Sequence, residues 1–600
     1  MTLPSLDAAR SGRFRRSSVI VVDTRPGRTG RRTTTRQIAR HRITFLDHLH
    51  RNPPLTTRRD FLSAAAGTAA GLIGAPSLLR ANHAAHDLVI RGGTVIDGTG
   101  APGTEMDVAI VGSQFVTVAR RIAEKGNVEI DARGLAVAPG FIDIHSHADG
   151  SLFSDPRSES VIRQGVTTIV VGQDGGSRFP SRRTEEGDGG YASYAALAAA
   201  IDKLGSSVNV ASMIGLGSIR GIVVGADDRP ATPDEVARMT GMVRDAVAAG
   251  ACGASSGLKY TPGAFASRAE LAALCAPLAA ARLPYATHMR NEDDRLLDAI
   301  DESIEVARLA KCPLQISHLK TQGPRNWGKL DEVFKRIDDA RRGGMDVMFD
   351  RYPYIAYQTG LTNLFPVWSR DGGTPAFFRR LDDPSTAERI KRETLAKVDL
   401  IGGWNNVLIS GVGRNGDTMA EGKRLGNFAA AKGADPYDAT VALLRSSNGS
   451  VGMVGFAMSE ENLDRILAHP LGMVCSDGGG FAVDGASRRG SPHPRGLGTF
   501  PRVLGRYVRE RKALTLEQAV HKMTALPASR IRVGDRGRIA PRLAADVVVF
   551  DPATVADKAT FEEPFQYPDG IKAVVVNGRV AFQDGTRTKS SGGKALRPNG

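Results

Sequence analysis

The chain has 600 residues, of which 41% are hydrophobic and 6% aromatic, a composition typical of a soluble globular protein with more than one structural unit. Its net charge of +15 would fit a nucleic-acid or anionic-membrane partner, but 15 arginines and only four acidic residues lie in the first 81 positions. The remaining chain holds 64 basic and 60 acidic residues, a balance that excludes a nucleic-acid partner and is ordinary for a soluble enzyme.

Residues 1–81 form a basic leader. Arg58 and Arg59 are followed by Asp60, Phe61 and Leu62 and then by an apolar, alanine- and glycine-rich run over 63–79. This pattern resembles a twin-arginine export signal, and the run falls short of the ~20 apolar residues that a membrane span needs. We expect export through the twin-arginine pathway to the periplasm or another extracytoplasmic space, with no stable membrane insertion after cleavage.

Both ends of the remaining chain have a strand pattern. Short alternating strands with glycine turns occupy 86–138, and valine-rich strands occupy 545–551 and 573–578. We therefore predict one small β-sandwich domain built from 82–138 and 535–590.

Between these ends, apolar strands alternate with helical segments, which favours a parallel sheet. The apolar strand candidates are 137–143, 168–172, 208–214, 252–258, 283–287, 314–317, 346–349 and 472–476. Eight such strands predict an α/β fold with a (β/α)₈ TIM-like barrel over 139–534. Helices are expected at 233–249, with Thr232 as N-cap, and at 294–310.

The gap between the seventh and eighth strands is about 120 residues, far longer than a βα connection requires. We predict an insertion at about 355–465, placed as a lid over the barrel mouth before the last strand.

The first barrel strand leads into His145-Ser146-His147. Side chains two positions apart on a strand point to the same side, so both imidazoles can reach one point at the end of the barrel where active sites lie. The spacing alone is weak, because His48-Leu49-His50 in the leader has it without a strand.

Three more polar residues follow later strands. His288 and His318 come where the fifth and sixth strands end, and Asp477 follows the eighth. Four imidazoles and a carboxylate at one barrel rim predict a site for one or two divalent metal ions, with zinc favoured.

Seven segments carry a family resemblance: 139–149, 255–266, 287–291, 317–320, 350–354, 476–478 and 493–504. Through them the chain resembles the amidohydrolase superfamily, and within it the N-acyl-D-amino-acid deacylase (D-aminoacylase) group, over about residues 86–585. The resemblance implies metal-dependent hydrolysis of an N-acyl-D-amino acid to a carboxylate and a free D-amino acid. The alternatives are a cyclic amidase of hydantoinase or dihydroorotase type, a dipeptidase, or a catalytically silent binding barrel.

The resemblance implies a metal centre made of His145, His147, His288, His318 and Asp477. D-aminoacylases typically place a metal-binding cysteine after the second strand, whereas this chain has Asp174 in a Gly-Gln-Asp-Gly turn. Asp174 is an oxygen ligand or bridge, or merely shapes the turn. Lys259, at the end of the fourth strand, is the alternative and preferred bridge, as a carboxylated lysine between two metals.

Roles at the site follow from the same resemblance. Asp477 is expected to take the proton of the attacking water and return it to the departing amine. Lys320, Tyr352 and Arg495 match positions that contact the substrate's α-carboxylate, and Arg290 is a further candidate. The alternatives are a surface charge at the rim for Lys320 and a helix-start role for Arg495. The expected partner is a small N-acyl amino acid.

Overall fold

The computed structural model describes residues 84–181 and 190–599. The predicted leader and twin-arginine signal, residues 1–81, lie outside the described residues. Among the residues that are described, no helix combines the length and apolar character needed to cross a bilayer.

Strands and helices alternate through most of the described chain. The strands are β1 (His86–Val95), β2 (Thr104–Val111), β3 (Gln114–Ala119), β4 (Gly126–Asp131), β5 (Ala136–Pro139), β6 (Phe141–Asp143), β7 (Val166–Val171), β8 (Asn209–Ser212), β9 (Ile214–Gly215), β10 (Ala254–Gly257), β11 (Tyr285–His288), β12 (Leu314–Ile316), β13 (Val347–Arg351), β14 (Ala356–Gly360), β15 (Val407–Val412), β16 (Val451–Phe456), β17 (Gly472–Val474), β18 (Val547–Phe550), β19 (Ile571–Val576), β20 (Arg579–Gln583) and β21 (Thr586–Arg587). The α-helices are α1 (Asp149–Leu152), α2 (Glu159–Ile162), α3 (Tyr194–Leu204), α4 (Leu216–Val223), α5 (Pro233–Ala249), α6 (Arg268–Cys275), α7 (Leu278–Ala281), α8 (Leu296–Ala310), α9 (Leu330–Arg342), α10 (Gly373–Asp382), α11 (Pro384–Leu400), α12 (Leu425–Ala431), α13 (Pro436–Ser446), α14 (Glu460–Ala468), α15 (Arg495–Arg502), α16 (Leu516–Met523) and α17 (Ala525–Arg530). A π-helical segment, Val503–Glu510, continues α15.

A nine-stranded sheet joins the two ends of the described chain. Its order is β21-β20-β19-β18-β5-β1-β2-β3, with β4 also paired to β1. The seam lies between β5 and β18, where Val547 stands opposite Pro139 in an antiparallel ladder. The small β domain predicted from both chain ends is thus confirmed.

Valine-rich strands suit this sheet because both of its faces are buried. On β18, Val547 and Val549 pack into the sheet's own core together with Leu88. Val548 and Phe550 point the other way and join the core cluster of the barrel. A strand buried on both faces has no polar alternation, which explains its continuous apolar sequence.

The eight predicted barrel strands are all present. Strands β6-β7-β8 form one parallel sheet, and β17-β13-β12-β11-β10-β9 form a second. The backbone N–H of Asp477 donates to the carbonyl of His145 at 2.8 Å, which joins the last strand's end to the first. The (β/α)₈ barrel is therefore confirmed.

Capping residues and turns determine where the barrel helices begin and end. Helix α5 begins with a capping box in which Thr232 and Glu235 exchange side-chain and backbone hydrogen bonds, and it ends at Gly250 with φ of 109°. Helix α8 begins later than the sequence predicts, because the side chain of Asn291 accepts hydrogen bonds from the backbone N–H groups of Asp293 and Arg295. That Asx turn replaces the first turn of the expected helix.

The insertion between the seventh and eighth barrel strands forms a small antiparallel sheet in the order β14-β16-β15, with α10 to α13 among its connections. Its strands end at Phe456, and α14 then leads back to β17. Helix α14 spans Glu460–Ala468, so it overlaps the predicted end of the insertion at about residue 465. A helical sequence pattern alone does not show whether such a helix belongs to the barrel or to the insertion.

Asp546 links the terminal sheet to the barrel. Its carboxylate accepts hydrogen bonds from Asn209 of β8 at 3.1 Å and from the backbone N–H of Asn577 at 2.7 Å. It also pairs with Arg536, whose side chain is 1% exposed.

We expect Asp546→Ala to lower the free energy of unfolding by about 3–5 kcal/mol, because the guanidinium of Arg536 stays buried without this partner. Differential scanning calorimetry of the purified protein measures the loss as a lower Tm. The control is Asp298→Ala, which removes an exposed ion pair with Arg295 and should change the Tm very little. Equal melting of the two variants would contradict this role of Asp546.

Candidate metal centre

The predicted histidines and Asp477 meet at one rim of the barrel, together with Asp174. Two groups of side chains have ligand atoms that all lie within 4.8 Å of one another. The first group is His145, His147, Asp174 and Asp477, and the second is Asp174, His288 and His318. Asp174 belongs to both groups.

Each oxygen of Asp174 lies between two imidazoles. Its Oδ1 is 3.4 Å from Nε2 of His145 and 3.5 Å from Nε2 of His318. Its Oδ2 is 3.5 Å from Nε2 of His147 and 3.4 Å from Nδ1 of His288. A carboxylate in this position could be a ligand in both groups.

Lys259, the preferred bridge of the sequence analysis, has its ammonium on the side of Glu292, and its bridging role stays a prediction. Strand β10 ends at Gly257, and Lys259 lies in the following turn with its Nζ 3.8 Å from Oε2 of Glu292. Lys259 and Asp174 both line the cavity beside the centre, but the oxygens of Asp174 contact the imidazoles and the ammonium of Lys259 lies toward Glu292.

Three of these residues have strained backbones. The φ angles of Asp174, His318 and Asp477 are 52°, 37° and 48°, in the left-handed region. Such angles cost about 1–3 kcal/mol each in non-glycine residues and concentrate at functional sites. The turn that contains Asp174 packs closely against the backbone of Gly257. A Cβ atom at position 257 would lie 2.1 Å from the Asp174 carbonyl oxygen, so only glycine fits there.

The centre's donor atoms fit a divalent cation. Both ring nitrogens of His145 and Oδ1 of Asp174 are buried without a hydrogen-bond partner among the described residues. An unsatisfied buried polar atom costs about 1–3 kcal/mol, and a bound cation removes that cost. Imidazole nitrogens with carboxylate oxygens are the donor set of hydrolytic zinc sites.

The carboxylates make the centre attract positive charge. Burial opposes protonation of His147, but its hydrogen bonds to Asp174 and Asp477 prevail and raise its pKa to about 10. Burial and Lys320 act likewise against His318, yet Asp174 and Asp477 raise its pKa to about 9. A divalent cation would supply the same charge without protons.

Asp477 has one oxygen engaged and one facing the histidines. Oδ2 accepts a hydrogen bond from Arg495 at 2.7 Å, and Oδ1 lies 3.2 Å from Nε2 of His147. Burial acts to raise the pKa of Asp477, but Arg495 and the nearby imidazoles hold it far below its usual value. The carboxylate is therefore ionised.

Arg495 thus contacts Asp477, as well as starting helix α15. Its guanidinium carbon lies 4.6 Å from the ring centroid of Tyr352. Its Nε has no hydrogen-bond partner in the described part of the chain. The predicted contact of Arg495 with a substrate carboxylate stays a prediction.

Two carboxylates of the site were missed by the sequence reasoning. Asp350 accepts a hydrogen bond from the backbone N–H of His318 at 2.7 Å, and its Oδ1 lies 3.5 Å from Nδ1 of His145. It therefore lies where it can orient the imidazole of His145, and it also holds the backbone of His318. Its sequence signal is the one that identified Asp477, an acidic residue at the end of a barrel strand.

Glu292 is the second carboxylate that the sequence analysis missed. It accepts hydrogen bonds from Lys320 and from Gln322, and it lies 3.2 Å from Nδ1 of His318 and 3.5 Å from Nε2 of His288. Burial acts to raise its pKa, but Lys320 and the imidazoles hold it well below the usual value. Its spacing four residues after His288 was the available signal.

A cavity opens beside the centre. Lys320 and Tyr352, predicted as substrate contacts, both line it. The hydroxyl of Tyr352 has no hydrogen-bond partner among the described residues, and burial raises its pKa, so it remains a phenol that can donate. Residues of the inserted lid form much of the wall: Tyr357, Gln358, Thr359, Asn363, Leu364, Lys397 and Met453.

Arg290 is a correction to the predicted substrate contacts. Its guanidinium donates to Glu302 at 2.9 Å and to the carbonyl of Ala266 at 2.9 Å, and it lines a separate surface cavity. Because β11 ends at His288, strand alternation no longer sets the direction of this side chain.

Comparisons with known proteins identify the family of this chain. Residues 128–370 and 486–582 match the amidohydrolase family. The chain is 35% identical to a D-aminoacylase of Alcaligenes xylosoxydans xylosoxydans, over 85% of this chain and 97% of that one. It is 37% identical to an N-acyl-D-glutamate deacylase of the same organism, over 83% and 93%.

A comparison with a solved structure shows that the fold is also similar. The N-acyl-D-glutamate deacylase of Bordetella bronchiseptica, complexed with zinc and a phosphonate mimic of the tetrahedral intermediate, superposes with a TM-score of 0.73 at 35% identity, over 85% of this chain and 99% of that one. Sequence, fold and site agree, and this chain belongs to the amidohydrolase family.

Proposed function

We propose that this chain hydrolyses the amide bond of N-acyl-D-amino acids at a zinc centre. The observation that carries the proposal is the position of Asp174 between four imidazoles at the barrel rim. The similar D-aminoacylase and N-acyl-D-glutamate deacylase support the substrate class, and the zinc in the Bordetella deacylase supports the metal.

Six side chains would hold the metal: His145, His147, Asp174, His288, His318 and Asp477. Zinc in such a site supplies a Lewis acid that lowers the pKa of water and polarises the amide carbonyl. Asp350 and Glu292 keep the imidazoles in orientation for this task.

Asp477 carries the proton. With Oδ2 held by Arg495, Oδ1 is the oxygen that faces the centre and can accept a proton from the attacking water. A new C–O bond forms as the C–N bond breaks, and the same proton passes to the departing nitrogen. Because Arg495 favours the ionised form of Asp477, the proton is released readily.

Lys320 and Tyr352 line the cavity on the side of His318 and can receive the substrate's α-carboxylate. The phenol of Tyr352 is an unused donor, and Lys320 adds positive charge. These contacts would orient the amide toward Asp477.

The proposal predicts release of a free amino acid from N-acetyl-D-amino acids by the purified, zinc-loaded protein. The L-enantiomers, hydantoins, dihydroorotate and dipeptides should be hydrolysed much more slowly. Amine release followed by chromatography measures each rate. Faster hydrolysis of a cyclic amide or a dipeptide would refute the proposed substrate class.

In the same assay, Asp477→Ala should reduce kcat by about 100-fold or more, because the proton carrier is lost. The control is Asp484→Ala, which removes an exposed carboxylate and should leave the rate unchanged. Near-normal turnover of Asp477→Ala would exclude its role in proton transfer.

Because Asp174 belongs to both groups of candidate ligands, we expect its loss to weaken zinc binding. Asp174→Ala should lower the zinc content per chain, measured by inductively coupled plasma mass spectrometry after gel filtration. The matched variant is Lys259→Met, which removes the alternative bridge and should keep the zinc content of the unchanged protein. The opposite pattern would make Lys259 the bridge.

We also propose export through the twin-arginine pathway, which rests on Arg58, Arg59 and the apolar run over 63–79. Replacing both arginines with lysine should retain the protein in the cytoplasm of a host with this pathway. Cell fractionation and immunoblotting measure the distribution. Unchanged export of the double variant would contradict the proposal.

A further inference from the structure

His493 is a buried histidine just before helix α15, and only 1% of it is exposed. Its Nδ1 lies 3.0 Å from the backbone nitrogen of Arg495, and its Nε2 lies 3.0 Å from the carbonyl oxygen of Ala356. A backbone N–H can only donate and a carbonyl can only accept, so the ring proton is on Nε2. The ring therefore joins two segments that are 137 residues apart in the chain.

The bond through Nδ1 holds the start of helix α15. Pro494 is the N-cap residue of this helix and supplies no side-chain acceptor for the first backbone N–H groups. The ring of His493 accepts the N–H of Arg495 instead. An asparagine or aspartate side chain makes the same bond, two residues ahead, in an Asx turn. His493 thus fixes the backbone from which the side chain of Arg495 extends.

The side chain of Arg495 has few other contacts that could hold it in place. Among the described residues, its guanidinium makes one hydrogen bond, to Oδ2 of Asp477 at 2.7 Å, and its Nε has no partner. Its other neighbour is the ring of Tyr352, whose centroid is 4.6 Å away. A shift at the start of α15 would therefore move the guanidinium and the carboxylate that it holds.

The bond through Nε2 reaches the inserted lid. Ala356 is the first residue of β14, and the next three residues of that strand, Tyr357, Gln358 and Thr359, line the cavity. His493 therefore ties a lid strand that lines the cavity to the helix that carries Arg495.

Aromatic packing keeps the ring of His493 in one orientation. The rings of Tyr354 and Phe561 meet it edge to face, with centroid distances of 5.1 and 4.9 Å. Burial and the charge of Arg495 hold the pKa of His493 well below its usual value, so the ring is neutral. A neutral ring fixed in this way accepts a hydrogen bond from one segment and donates one to the other.

We propose that His493 is a positioning residue, which keeps Arg495, and through it the carboxylate of Asp477, in register with the lid strand β14. His493 is not among the residues that line the cavity, so it acts through Arg495 and not on the substrate. The inference rests on the proposed function, because that function makes Asp477 the proton carrier.

Two substitutions of His493 test this role. His493→Phe keeps an aromatic ring between Tyr354 and Phe561 and removes both hydrogen bonds. We expect kcat of the zinc-loaded protein to fall about tenfold to a hundredfold at unchanged zinc content, because a small displacement of a catalytic group is enough for such a loss. His493→Asn keeps an acceptor for the N–H of Arg495, so its kcat should lie well above that of His493→Phe. Near-normal kcat in His493→Phe, or an equal loss in both variants, would overturn the proposal.

His521→Phe is the control for a purely structural role. His521, on helix α16, is also a partly buried histidine bonded to a backbone carbonyl, that of Gly98 at 2.8 Å, and it does not line the cavity. Both phenylalanine variants should lower the Tm, but only His493→Phe should lower kcat measured well below the Tm. The same loss of kcat in His521→Phe would reject the positioning role. If His493→Phe does not fold, His493→Gln replaces it, because its longer amide can reach the Ala356 carbonyl without the short bond to Arg495, and the same fall in kcat is expected.

Hydrogen exchange separates a failure of this inference from a failure of the proposed function. Mass spectrometry of the full chain follows amide exchange in segments 356–360 and 495–502. Exchange should become faster in both segments of His493→Phe and only in 356–360 of His493→Asn, whether or not a substrate is hydrolysed. Unchanged exchange in His493→Phe rejects the connection made by His493. If exchange changes as expected but the unchanged protein hydrolyses no N-acyl-D-amino acid, the deacylase function fails and the connection stands.

Discussion

The active end of this barrel depends on two buried carboxylates, Asp174 and Asp477, that face a group of imidazoles. Asp174 has no arginine or lysine partner among the described residues, and both of its oxygens contact histidines. Burying such a charge is tolerated only where a cation joins it. The strained backbones of Asp174, His318 and Asp477 have the same explanation, since they hold the donor atoms around a common point.

The cavity beside this point is lined by carboxylates on one side and by lysines on the other. Its metal side holds Asp174 and Asp477, and its far wall holds Lys259 and Lys397. Because Lys397 belongs to the inserted lid, the lid supplies part of the positive charge of this cavity.

Features set by short stretches of sequence were predictable. The paired histidines at 145 and 147, the helix at 233–249 and the barrel strands depend on alternation, capping and local apolar runs. Contacts between segments distant in the chain were not predictable. Glu292 gains its importance only when Lys320 folds beside it, and Arg290 turns away because β11 ends two residues earlier.

The choice between Asp174 and Lys259 illustrates the same limit in physical terms. Both residues follow a strand at the same rim, so position in sequence does not separate them. What separates them is the glycine at 257, which lets the backbone of Asp174 approach β10 closely enough to bring its carboxylate among the histidines. The same turn leaves the longer side chain of Lys259 beyond the centre, against Glu292. Close packing of two backbones, rather than the chemistry of either side chain, thus brings the Asp174 carboxylate and not the Lys259 ammonium among the histidines.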